Sequence, residues 1–193
     1  MKSNYKNPMV IAEIGCNHKG EINIAKQLLK VASESGVEVA KFQKRNNKEL
    51  LTEKQYNDPH PNPIHSYGDT YGEHREYLEF DINQHKELKT HTESLGIIYS
   101  SSVWDTTSAK EIISLNPELI KVPSACNNHF EMLKVLRDDY LGEVHISFGM
   151  TTKEEEEQIV SFFEENNQAK RLVLYSCISG YPVPFEDICM LEI

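Results

Sequence analysis

The sequence has no closely spaced cysteines. Cys16, Cys126, Cys177 and Cys189 stand far apart with no CxxC among them, which argues against a thiolate zinc site and a disulfide framework. Positive charge is also short: 20 Lys and Arg against 30 Asp and Glu leave a formal net charge of −10. Nucleic acid and anionic membranes are therefore not expected as partners. No apolar run is long enough to span a bilayer, and MKSNYKNP at the start has no apolar leader core, so the expected compartment is the cytoplasm. Tryptophan is limited to Trp104, read as a packing residue. No two of the eight histidines have helix-ligand spacing with an acidic third ligand, so no metal site is expected from this chain alone. His85 and His91 read as a solvated helix face.

What the chain does have is a repeated local grammar. The stretch VIAEIGCNHKG, Val10 to Gly20, is an apolar run that ends in Glu13, Asn17 and His18, as a buried strand does when it emerges into a loop. VAKFQ ends in Lys41 and Gln43, and ELIKVPS ends in Lys121 and Ser124. Polar residues at the carboxyl ends of successive apolar strands are the arrangement a βα barrel uses for an active site. Gly36, Gly96 and Gly142 each separate a helical pattern from the next strand, the punctuation of alternating βα units. Helix starts are equally legible, with Asp105 as a cap and Thr152 with Glu155 as a capping box.

This grammar predicts strands near 9–14, 37–43, 97–101, 118–122, 143–148 and 172–177, with helices near 21–35, 83–95, 106–115, 129–138 and 153–166. The fold class is α/β, of the (β/α)8 TIM-barrel type, with about six βα units. Residues 1–193 are thus expected to form one incomplete barrel domain. Residues 44–81, with Pro59, Pro61, Pro63, Gly68 and Gly72, break the rhythm and read as a long lid or binding loop. SGYPVPFEDICMLEI at the end reads as a loop followed by the first turns of another helix.

Several residues could carry chemistry. Glu13 is either a surface carboxylate or a base, or a group that orients a substrate hydroxyl. Lys41 and Lys121 are open to three readings: snorkelling residues, phosphate binders, or Schiff-base nucleophiles. Two lysines facing one mouth favour anion binding, since adjacent ammonium groups depress each other but suit a dianion. Ser101, Ser102, Ser124, Ser147, Ser176 and Ser179 lie at strand ends, where hydroxyls and free backbone N–H groups can complete a phosphate cradle.

IAEIGCNHKG, VAKFQ, YGEHREYLEFD, IKVPSACNN, ISFGMT and SCISGYPVPFED occur in this order, and nearly the whole chain from about residue 9 resembles the sialic acid synthase (N-acetylneuraminate synthase) family. The resemblance implies a transferase that condenses phosphoenolpyruvate with an N-acylated hexose such as N-acetylmannosamine, giving a nine-carbon 2-keto acid and phosphate. By motif, Lys41, Ser102, Lys121, Ser124, Ser147 and Ser179 would hold phosphoenolpyruvate, and Glu13, Gln43 and Tyr181 would line the sugar end. Glu13, Lys41 and Lys121 are the candidate catalytic residues. The resemblance further implies a divalent metal, Mn or Mg, acting as Lewis acid. It implies a homodimer as well, with an antifreeze-like domain completing the neighbouring subunit's site.

Three departures accompany the resemblance. The family's metal-binding histidines lie in strands seven and eight, which have no counterpart here; the isolated chain is therefore expected to be inactive, and a second polypeptide is one conceivable source of those strands. Cys126 stands where an acidic residue is usual, which suggests another sugar substrate or proton path. Pro123 stands where glycine is usual. A non-catalytic phosphoenolpyruvate- or anion-binding module and a Schiff-base aldolase are the alternatives from other functional classes.

Overall fold

The computed structural model describes residues 7–180 and 182–188. Six parallel strands, β1 (Ile11–Gly15), β2 (Val39–Lys44), β3 (Ile98–Val103), β4 (Leu119–Val122), β5 (Glu143–Phe148) and β6 (Leu172–Ser176), form one sheet in the order of the sequence. The order never reverses, as in a barrel wound in one direction and unlike a doubly wound sheet. Among the described residues β1 and β6 each pair with one strand only.

The crossovers are helical: α1 (Ile22–Glu34) first, then α2 (Asn47–Leu50), α3 (Glu53–Asn57), α4 (Tyr71–Leu78) and α5 (Ile82–Ser94). After β3 come α6 (Thr106–Ser114), α7 (Phe130–Asp139) and α8 (Lys153–Glu164). The local signals act as read. The Asp105 carboxylate accepts from the Ser108 N–H at 2.7 Å at the start of α6. Thr152 and Glu155 form a capping box on α8. Gly36 and Gly96 turn out of α1 and α5 with φ of 78° and 73°, a conformation that needs no Cβ. Gly142 does not take up that conformation.

Alternation along each strand sorts the two faces of the sheet. Ala40, Phe42, Ile120, Val122, Val144 and Ile146 are fully buried, packed against α1, α5, α6 and α7 in two apolar clusters that include Leu29, Leu88, Ile112 and Leu133. Burying each of the larger of these side chains contributes about 1.5–3 kcal/mol. The residues between them, Lys41, Gln43, Lys121, His145 and Ser147, face the other way. Register then lines them up: Glu13 lies beside Lys41, Gln43 beside Ser102, Ser102 beside Lys121, Lys121 beside His145, and Ser147 beside Tyr175.

Two expectations need correcting. Residues 44–81 are not a structureless loop: they fold into α2, α3 and α4, and Thr52–Gln55 and Thr70–Glu73 make capping boxes for the last two. A buried Arg45–Glu79 ion pair, with side chains 8% and 9% exposed, ties the two ends of this excursion together. His85 is not on a solvated face but fully buried. Its Nδ1 lies 2.7 Å from the Tyr99 hydroxyl, and its ring sits edge-on to Phe42 and Phe80. Near the end of the chain, Phe185–Asp187 is a 3-10 turn, and residues 189–193, where the sequence predicts further helical turns, lie outside the described residues.

Candidate functional site

All six strands contribute to one cavity of about 890 Å³ on the polar face of the sheet. Glu13, Lys41, Gln43, Ser102, Lys121, Ser124, Ser147 and Ser179 all line it. Eight residues singled out in the sequence thus converge from strands and loops up to 166 positions apart, taking Glu13 and Ser179 as the extremes. Tyr181 lies outside the described residues.

The polar contacts divide the cavity in two. On one side Lys41 is ion-paired with Glu13, its partner in register, and its Nζ donates to Ser102 Oγ at 3.2 Å. On the other, Lys121 is 8% exposed, and its Nζ donates to Ser147 Oγ at 2.6 Å and to the Val122 carbonyl at 2.7 Å. Burial, helped by the Lys41 charge, pulls the Lys121 pKa down to about 8. An ammonium held with so little compensation gains when an anion arrives. The Tyr175 ring completes its surroundings, with Nζ 5.0 Å from the ring centroid, a cation–π distance.

Two of the hydroxyls pack closely against the loop that follows β5. A Cβ placed on Gly149 would fall 2.6 Å from both Ser124 Oγ and Ser179 Oγ, inside van der Waals contact. Glycine there lets both hydroxyls close in on the backbone. The loop carrying it is pinned from below: Asn127, 2% exposed, donates from its amide to the Ser147 carbonyl at 2.9 Å and to the Gly149 carbonyl at 3.2 Å.

Sequence reasoning missed part of the lining. Tyr175, Cys177, Ile178 and Met150 also face the cavity. Tyr175 could have been found by counting in twos along LVLYS, but only once the register with Ser147 was known. Trp104 both lines the cavity and packs against the apolar cluster, with the Arg45 guanidinium 5.9 Å from its ring. Its indole N–H is buried without a partner among the described residues. Cys126, expected to alter the site, does not line the cavity. It is buried in the apolar cluster, where burial first and Asp105 second push its thiol up to about 11. No residue of 44–81 lines the cavity either.

A divalent metal is implied by the resemblance, and these residues do not fit one. The cavity's carboxylate, Glu13, is engaged by Lys41, and a second ammonium stands nearby. Among the described residues no group of three or more His, Cys, Asp or Glu is placed to hold a metal ion. No described helix is long and apolar enough to cross a membrane.

Known proteins bear on this geometry. The N-acetylneuraminate-9-phosphate synthase of Mus musculus is 34% identical over 178 residues, covering 92% of this chain and 48% of the relative. The N,N'-diacetyllegionaminic acid synthase of Campylobacter jejuni is 28% identical, covering 95% and 55%. The chain thus spans about half the length of these relatives. The N-acetylneuraminic acid (sialic acid) synthetase of Leptospira borgpetersenii, solved with citrate, superposes with a TM-score of 0.77 at 24% identity, covering 97% of this chain and 61% of that one. A truncated 3-deoxy-D-arabino-heptulosonate 7-phosphate synthase of Thermotoga maritima shares the fold at a TM-score of 0.58. The profile of the NeuB family matches residues 28–193, and with a relative 34% identical over 92% of this chain, the chain belongs to the NeuB family.

Proposed function

We propose that the cavity binds phosphoenolpyruvate and that the chain supplies the enol-binding part of a carbon–carbon bond-forming sugar-acid synthase. One observation carries the reading: two lysines and a set of hydroxyls, brought together by all six strands, line a single cavity. Each ammonium about 4 Å from a phosphate contributes roughly 4 kcal/mol at an effective dielectric of about 20, before desolvation. Lys121, Ser124, Ser147 and Ser179 surround the phosphate. Lys41 and Ser102 take the carboxylate. Glu13 and Gln43, on β1 and β2, face the sugar, an N-acylated hexose whose aldehyde carbon is attacked by C3 of the enol. Water then adds at C2, and the C–O bond to phosphate breaks.

Calorimetric titration tests this directly. The 193-residue chain should bind phosphoenolpyruvate, with Lys41→Ala, Lys121→Ala and Gly149→Ala each at least about tenfold weaker. No binding by the unaltered chain, or an unchanged affinity in all three variants, overturns the reading. The lowered basicity of Lys121 favours a second reading, an imine-forming aldolase. Borohydride treatment with pyruvate separates the two: a covalent adduct on Lys121 supports the aldolase, and an unmodified lysine supports phosphate binding.

A further inference from the structure

Beneath the cavity, the face of β5 that carries Ser147 also carries His145 and Glu143, two and four residues back along the strand. The His145 side chain is fully buried. Its Nε2 lies 3.1 Å from Glu143 Oε2, and its Nδ1 lies 2.8 Å from the Tyr175 hydroxyl. A carboxylate can only accept, so Nε2 carries the hydrogen. Burial, assisted by the nearby Lys121 charge and opposed by Glu143, lowers the ring's pKa. The ring is therefore neutral and its Nδ1 lone pair accepts the Tyr175 O–H. Burial and then Glu143 raise the pKa of the phenol, so Tyr175 keeps its proton to donate.

The donors consequently all point one way. Tyr175 lines the cavity and donates to His145, which donates to Glu143, whose side chain is 57% exposed at the amino end of the sheet. The charged and titratable groups packed around the imidazole are Lys121 from β4, Tyr175 from β6 and Glu143 from its own strand. Neither a core histidine nor a surface glutamate needs this connection to a cavity-lining phenol. Tyr175 Oη keeps lone pairs beyond the hydrogen it donates.

We infer that Tyr175, His145 and Glu143 form a proton-exit relay that takes the proton from the water adding to the bound substrate. The inference rests on the phosphoenolpyruvate reading. As the water oxygen bonds to C2, its O–H proton passes to Tyr175 Oη and the phenolic proton to His145 Nδ1. The Nε2 proton moves to Glu143 and on to solvent. The C2 electron pair displaced by the water settles on the phosphate-ester oxygen, so nothing is oxidised or reduced. Tyr175 is the catalytic member; His145 and Glu143 act through it.

The test is nitrogen NMR on the whole chain with 15N-labelled histidine at pH 7. Without ligand, His145 should give the Nε2–H tautomer, and Tyr175→Phe should move its Nδ1 resonance while leaving the tautomer unchanged. On saturation with phosphoenolpyruvate, the Nδ1 resonance should move in the unaltered chain and stay put in Tyr175→Phe. An Nδ1–H tautomer, a charged ring, or tight binding with unmoved His145 signals overturns the relay. A chain that binds no phosphoenolpyruvate sinks the substrate reading instead. The two failures are distinct because the tautomer and the ligand-free variant shift are read with no ligand present.

Discussion

Lys121 is where the proposed function and stability oppose each other. Its pKa falls from 10.5 in a free side chain to about 8, first through burial and then through Lys41. Between about pH 8 and 10.5 the unfolded chain therefore binds more protons than the folded one, and stability rises with pH across that window. Below about pH 8 the folded protein carries the full cost of the buried ammonium, on the order of 2–3 kcal/mol. Lys121→Met should raise the urea midpoint at pH 7 by the equivalent of about 2 kcal/mol, and the gain should vanish near pH 10.5. A loss of stability at pH 7 would mean that the contacts with Ser147 and the Val122 carbonyl outweigh the desolvation. Cys126 makes the opposite point: a residue conspicuous in the sequence has its thiol in the apolar cluster, away from the cavity.

Among the elements, α5 is held to β3 by chemistry that depends on pH. Burial lowers His85 to about 3 and His18, stacked on Phe80 at 4.0 Å between ring centroids, to about 4. The unfolded chain titrates near the ordinary value of about 6.5, so stability is complete above that pH and falls as acid is added towards pH 4. Urea midpoints between pH 7 and 4 should decline by the equivalent of several kcal/mol in all. His85→Gln, which keeps a partner for Tyr99, should flatten the slope; an unchanged slope would remove His85 from the account. The excursion of α2, α3 and α4 rests on the Arg45–Glu79 pair. Glu79→Ala leaves a buried guanidinium unpaired, a loss of about 3–5 kcal/mol for such pairs. Limited proteolysis should then cut within residues 53–70 while the sheet survives, and cleavage at random sites would mean that the pair supports the whole domain.

At the scale of the whole molecule, a net charge of −10 surrounds a cavity lined by two lysines. Beyond a Debye length of about 10 Å at 0.1 M salt the acidic surface governs encounters with polyanions. The chain should not co-sediment with phosphatidylserine vesicles or shift duplex DNA at that salt concentration, and retention by either would require a basic surface that the charge balance does not provide. The order and type of the six main βα elements could be read from the sequence because capping boxes, glycine stops and apolar periodicity act within a few residues of each other. The polar residues at strand ends were legible for the same reason, and most of them line the cavity. The short helices within residues 44–81 were hidden behind three prolines, although their capping boxes were there to read. The burial of His85, the withdrawal of Cys126 and the meeting of His145 with Tyr175 came only from the tertiary structure. Each depends on what lies opposite a side chain across the sheet or beneath a helix, and partners 14 to 30 residues apart, as in His85–Tyr99 and His145–Tyr175, are chosen by strand register and packing, which no local pattern encodes.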